Sequence, residues 1–434
     1  MKMTYFKLAI LLILTLVRAQ SYAYDFEADG LYFRVISSQE KTCEVVYENS
    51  DVNKARTGEV VIPDEVVFRG SKLSVTNIAH MAFYDCSNVT SFVLPASLTN
   101  IESSAFGKCA LITYIDIPET VRSIGRSAFE KCLMLRTIEL PPSITEIKEG
   151  TFSGCESLDN LDLPSGITNI DDYAFADCKS FTEIKLPSNL HRIGEGAFNG
   201  CLSVENLFIP QSVSFIGKEA FYNCNALLSV EFEKSSQSLK ICSDNGMSMG
   251  WKAYYVFDPN GNIEKIRTGR TLVYEPAKFQ SLTTLEIGDN VSVSNFTCGE
   301  NIEYLILGQN VTFNSSWTSK IGMTTDFRNY PNLKTIKCYD LKPTFYPNCT
   351  QDQYLNVNVF VPNESIAIYK NSESWKNFWF LEGFELPTSV EQIQSTQTKY
   401  PLDIFDLNGI SHNKPVKGLN LIRYSDGTIE KKWY

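Results

Sequence analysis

The sequence predicts an α/β solenoid: a stack of 23-residue coils with a parallel sheet on one face and irregular or short helical turns on the other. Two observations carry this prediction. The block Ala/Thr-Phe-x-x-Cys recurs seven times at a spacing of 23 residues, with Phe83, Phe106, Phe129, Phe152, Phe175, Phe198 and Phe221 followed by Cys86, Cys109, Cys132, Cys155, Cys178, Cys201 and Cys224. Between the blocks, a short alternation of apolar and polar residues ends at a proline, at Pro95, Pro118, Pro141, Pro164, Pro187 and Pro210. A fixed period in this range is the mark of a chain whose coils bury apolar residues against their neighbours, so function is sought on a surface rather than in a pocket.

Residues 1–23 read as a signal peptide, with Lys2 and Lys7, the apolar run Leu8 to Val17 and the small-x-small signal Ser21-Tyr22-Ala23. The run is too short to span a bilayer, and no later stretch is apolar enough, so the mature chain is expected to be secreted or displayed on a cell surface without a transmembrane segment. Loss of Lys2, Lys7 and Arg18 takes the formal charge from −11 to −14. Such acidity disfavours nucleic acid and anionic membrane as partners.

Residues 24–75, with Gly30-Leu31-Tyr32-Phe33 and Val60-Val61-Ile62-Pro63, precede the first coil and are expected to cap it. A cap is needed because the first coil otherwise leaves an apolar end and an open sheet edge.

Residues 76–232 hold the regular coils. Counting from the ladder cysteine, position +3 is apolar throughout, and +6 and +8 carry pairs such as Ile115 and Ile117 or Ile138 and Leu140. That period-two alternation is a strand with one buried face. Proline lacks the amide hydrogen that would continue the ladder, so it ends the strand. The chain then turns and buries +12 and +15, for example Val121 and Ile124. Seven cysteines at one equivalent position have parallel Cβ vectors, a poor geometry for disulfides, and are read as buried free thiols beside a spine of stacked Phe rings. Cys43, Cys242, Cys298, Cys338 and Cys349 stand outside the ladder, and a Cys338–Cys349 bridge is left open.

The pattern Cys-x-x-Leu-x-x-Ile-x-Leu-Pro-x-x-Leu-x-x-Ile-Gly-x-x-Ala-Phe resembles the BspA-like, or Treponema pallidum-type, leucine-rich repeats of exported bacterial proteins. The Gly after the +15 Ile is kept at Gly125, Gly194 and Gly217. The resemblance implies a leucine-rich repeat fold, a hairpin cap of the kind seen in Bacteroidetes, and a role in adhesion or host interaction. Residues 233–383 then read as irregular repeats and a closing cap: the pattern breaks from 233 to 262 and returns in degenerate form around Leu285-Glu286-Ile287 and Leu305-Ile306-Leu307, closing at Val359 to Phe380. Residues 384–398 read as a Ser/Thr/Gln-rich linker. Residues 399–434, with Ile404-Phe405-Asp406-Leu407-Asn408-Gly409, resemble the short carboxy-terminal modules related to type IX secretion sorting domains; a small β appendage without a sorting role is the competing reading.

The sequence offers no chemistry that would make an enzyme. His80, His191 and His412 are scattered, and no Cys-x-x-Cys, His-Glu-x-x-His or phosphate-binding loop is present, so no cofactor and no metal is expected. Gly246-Met247-Ser248-Met249-Gly250 matches a hydrolase string without its strand-to-helix context. The ladder thiols lack a repeated His and sit in apolar surroundings that raise a thiol pKa.

What remains is the outward side of the strands, positions +5 and +7. The candidate binding face is Tyr114, Asp116, Glu139, Asn160, Asp162, Glu183, Lys185, Phe208 and Glu231. Aromatics among carboxylates suit a protein ligand with basic patches. A glycan-binding component, with Trp251, Tyr254 and Tyr255 lining a groove, and a structural spacer are the alternatives.

Overall fold

The computed structural model describes residues 24–159, 161–236, 239–241, 256–257, 261–269, 272–273, 280–293, 300–313 and 326–386, together with the strand residues 401–405, 411–412, 419–424 and 429–433. The signal peptide, Asn160, Cys242, Cys298, the Gly246–Gly250 string, Trp251, Tyr254, Tyr255 and most of the linker lie outside the described residues. Two compact units are formed, Met1–Val361 with Ser365–Glu382, and Pro362–Glu364 with Gly383–Tyr434.

The first unit is a solenoid, and its core is the ladder expected from the sequence. The seven Phe rings are buried and stack in series, with centroids 5.2 to 5.6 Å apart and interplanar angles of 12° or less. Such offset pairs add about 0.5–1.5 kcal/mol each beyond the apolar area they bury. The spine runs one ring further than the repeats, because Phe257 stacks on Phe221 at 5.5 Å. The ladder cysteines are buried free thiols. Each from Cys109 to Cys224 points its Sγ at the Phe carbonyl of the preceding coil, Cys155 at 3.1 Å from the Phe129 oxygen for instance. Cys338 and Cys349 are likewise free and buried, which removes the bridge left open between them.

The +5 to +8 segments stack coil on coil, and several pair in parallel with the equivalent segment of the next coil. Tyr114 aligns with Thr137, Ile184 with Leu207, and Asn206 to Ile209 with Ser229 to Phe232. The prolines act as foreseen: each carbonyl accepts the amide three residues on, as from Leu98 to Pro95 and from Ile144 to Pro141, turning the chain off the sheet. The sheet continues past the regular repeats through Lys265–Thr268, Thr284–Ile287, Tyr304–Leu307, Thr335–Cys338 and Asn358–Pro362.

A second row of parallel pairs runs along +14 and +15, positions that the sequence assigns to the buried turn. Asn100-Ile101 pairs with Ser123-Ile124, and Glu146-Ile147, Asn169-Ile170, Arg192-Ile193 and Phe215-Ile216 pair in succession. The conserved-looking Gly after this row has a steric cause: a Cβ at Gly125 would lie 2.4 Å from the Ser103 amide, and one at Gly194 would lie 2.5 Å from the Asp171 carbonyl carbon.

The Phe-Cys turn is a third ladder, built from backbone. Positions −5 and −1 take positive φ in every regular coil, from Met81 (59°) and Asp85 (64°) through Tyr173 (55°) and Asp177 (57°) to Glu219 (55°) and Asn223 (56°). Flanked by these left-handed residues, the turn aims alternate amides at the following coil: Phe83 donates to Ala105, Phe106 to Ala128, Phe129 to Thr151, and so on to Phe221 and Val256. The first coil therefore has carbonyls with no coil before it. The short helix Ser50–Ala55, N-capped by Asn49, supplies the missing donor. Its buried Asn53 amide donates to the Ala82 and Tyr84 carbonyls at 3.3 and 2.9 Å.

At the far end, the buried Gln353 side chain donates to the Phe327 and Tyr330 carbonyls at 2.8 and 2.9 Å, while its oxygen closes a capping box with Thr350. Trp375 is buried against Phe345 and Tyr369 and donates to the Phe345 carbonyl. In the second unit, Pro401–Phe405, Ser411–His412, Leu419–Tyr424 and Ile429–Trp433 form a four-stranded antiparallel sheet.

Candidate binding face

Alternation along each strand places +6 and +8 in the core and +5 and +7 outward, and the side chains follow this rule. Tyr114, Asp116, Glu139, Asp162, Glu183, Lys185 and Phe208 are all exposed. Tyr114 and Phe208 are 45% and 46% exposed, large values for aromatic rings, and the Asp162 side chain is 93% exposed. Lys185 reaches Glu183 at 3.5 Å and Asp162 at 3.8 Å. Asp116 and Glu139 form no ion pair among the described residues. Partial burial, then the fields of Asp116 and Glu139, raise the Tyr114 phenol above its ordinary pKa, so its hydroxyl keeps its proton and can donate.

Glu231, the last candidate, is half-buried and engaged. Arg267 bridges it at 3.0 Å and also holds Glu286 at 3.0 Å, which makes a Glu-Arg-Glu chain across three adjoining strands. Beyond that chain the outward side closes: Thr284, Tyr304, Ile306 and Thr335 are buried on the same side that is exposed in the regular coils. The accessible face thus ends near Arg267.

At the other end it extends further than the sequence reading placed it. Gly58–Val61 pairs in parallel with Val89–Val93, matching Glu59 to Ser91 and Val61 to Val93. Val60-Val61-Ile62-Pro63 therefore occupies +6 to +9 of an incomplete coil inside the cap. Its strand-then-proline pattern was the available signal, obscured because no Phe-x-x-Cys precedes it. Val61 and Val93 are 55% and 45% exposed. Column +7 of the face consequently reads Val61, Val93, Asp116, Glu139, Asp162, Lys185, Phe208, Glu231 and Arg267.

Elsewhere, a shallow polar depression on the second row of strands is lined by Glu102, Arg126, Glu146, Lys148 and Asp171. Within it Lys148 contacts Ser123 at 3.0 Å and Glu146 at 3.6 Å. Among the described residues no three His, Cys, Asp or Glu side chains converge as a metal site, and no helix is long and apolar enough to cross a membrane. Burial pushes the Cys155 and Cys224 thiols up to about 12, so these two are held as neutral thiols near neutrality.

The family described as "BspA type Leucine rich repeat region (6 copies)" has a model that matches residues 71–179 and 150–245. The fold is a leucine-rich repeat solenoid. Solved structures similar to the chain include a leucine-rich repeat protein of Bacteroides ovatus, 21% identical over 83% of this chain and 100% of that one, with a TM-score of 0.45. A leucine-rich cell surface protein of Faecalibacterium prausnitzii is 20% identical over 88% and 100% of the two chains, with a TM-score of 0.45. A Treponema pallidum leucine-rich repeat protein is 23% identical over 57% and 86%, with a TM-score of 0.25. No curated protein matches the sequence.

Proposed function

We propose that this leucine-rich repeat protein is an exported, non-catalytic binding module that holds a protein ligand with basic patches against its exposed strands. The observation that carries this reading is the run of Asp116, Glu139, Asp162 and Glu183 bounded by the exposed rings of Tyr114 and Phe208. Carboxylates repeated coil after coil attract Lys and Arg, and exposed aromatics are the residues that most often anchor a protein interface. Proteins built from such repeats generally serve as interaction scaffolds. Residues 1–23 act as the export signal in this reading, and the carboxy-terminal strands serve attachment or sorting. The protein then works outside the cytoplasm as an adhesin-like receptor. The glycan alternative rested on Trp251, Tyr254 and Tyr255, outside the described residues, and no observation favours it.

The test is Asp116→Lys, Glu139→Lys and Asp162→Lys combined, assayed by interferometry against immobilised matrix proteins at about 0.05 and 0.3 M salt. Wild-type binding should weaken with salt, and the triple variant should bind at least about tenfold more weakly. Equal binding by the two proteins would remove the sheet face from the account.

A further inference from the structure

The exposed face carries information about the shape of its ligand as well as its charge. Its apolar residues fall into two groups. Val61 and Val93 are register partners, with Tyr114 on the strand of the following coil. Phe208 stands alone at the other end, after Lys185. Between the groups lie Asp116, Glu139, Asp162 and Glu183, against Lys185 as the one cation among the described +5 and +7 residues there, which serves two of the four. The face is therefore apolar, acidic, apolar along the solenoid axis.

The repeat fixes the distance between the two anchors. Tyr114 belongs to the coil of Phe106 and Phe208 to the coil of Phe198, four steps apart along a spine whose rings are 5.2 to 5.6 Å apart. Four inter-strand spacings amount to about 20 Å. An extended chain covers that length in about six residues, and residues six apart in an extended chain point to the same side.

We propose, resting on the sheet-face reading above, that the occupant is an extended protein segment lying along the solenoid axis. It presents two large apolar side chains six positions apart, with Lys or Arg at the same-side positions between them. One apolar side chain packs on Tyr114 beside Val93, and the other on Phe208. The intervening cations face Glu139 and Asp162, which lie one and two coils on from Tyr114. Charge complementarity selects a basic centre, and the spacing of the rings selects an extended backbone over a helix, which needs about thirteen residues for the same span.

The probes are three labelled peptides, each with two Leu and two Lys on a Ser background, the Leu residues two, six or ten positions apart. Fluorescence anisotropy with the full chain should find the six-spaced peptide at least about tenfold tighter than the other two. Tyr114→Ser and Phe208→Ser should each reduce it to the level of the controls; both rings are about half exposed, and unchanged far-ultraviolet dichroism verifies folding. Equal affinity of all three peptides overturns the spacing. If that common affinity is lost in the triple charge reversal, the sheet-face reading survives while this one fails. If no peptide binds and the reversal also leaves matrix binding unchanged, both fail. Self-association removed by Phe208→Ser would name a second copy as the occupant, and neutral oligosaccharide binding removed by Tyr114→Ser would name a glycan; either result overturns the peptide proposal.

Discussion

At the residue scale the ladder cysteines are the most uniform feature of the molecule, and their role is packing with a weak directional bond. Each thiol is buried in the same core as the Phe rings and directs its hydrogen to a carbonyl that would otherwise have one acceptor site idle. Burial raises Cys155 and Cys224 from the ordinary 9.0 to about 12. Because the folded value lies above the unfolded one, the stability linked to each thiol is fully present below about pH 8.5 and is lost as pH rises through the folded value. Urea midpoints should accordingly hold steady up to about pH 8 and fall between about pH 9 and 12. In the native protein these thiols should resist an aromatic disulfide reagent at about pH 8, reacting once guanidinium unfolds the coils. Rapid native labelling of the ladder would contradict the burial. The ladder was readable in the sequence because side-chain identity itself repeats. Positions −5 and −1 were not, since Met81, Ser104, Gly150 and Tyr173 share a backbone conformation and no side-chain property.

At the scale of the element, the caps follow from the direction of the turn ladder. Amides point toward the carboxy-terminal coil, so the amino-terminal coil presents carbonyls and requires a donor. Asn53 meets that need with one amide nitrogen shared by two carbonyls. Asn53→Asp keeps the shape but replaces a donor by an acceptor facing two oxygens. It should destabilise more than Asn53→Ala, which leaves the carbonyls unpaired at about 1–3 kcal/mol. Chemical denaturation checks the order, and the Asp variant should recover partly at acid pH, where its carboxyl can donate again. A cap was foreseen from the exposed end of a solenoid, whereas its chemistry was not, because Asn53 sits in a helix with no counterpart in the coils. Similarly, Val256 and Phe257 continue the spine after an interruption that lengthens the step from Phe221 to 36 residues. Without a following Cys, they carried no signal above the local noise.

For the whole molecule, three ladders of different chemistry hold the same spacing: the outward-facing strands, the +14 and +15 pairs, and the turns. Each coil contacts the next through equivalent atoms, so stability accumulates by neighbour interfaces. The candidate face was legible in its centre, where strand alternation alone decides which side chains point out. Its limits were not, since they depend on Val61 lying in register with Val93 and on the burial of Thr284, Tyr304 and Ile306, which no periodicity encodes. The equivalence of coils also makes the molecule a ruler with discrete graduations. Removing residues 133–155 joins Cys132 to Glu156 in unbroken register and brings Phe208 one graduation, about 5 Å, nearer to Tyr114. A protein so shortened should fold and should favour a peptide whose anchors are four rather than six positions apart. Fluorescence anisotropy with the spaced peptides reads the change, and an unchanged preference for six would mean that the anchors are not these two rings. In a lineage of such genes, gain or loss of one repeat would recalibrate the ligand without altering either anchoring ring.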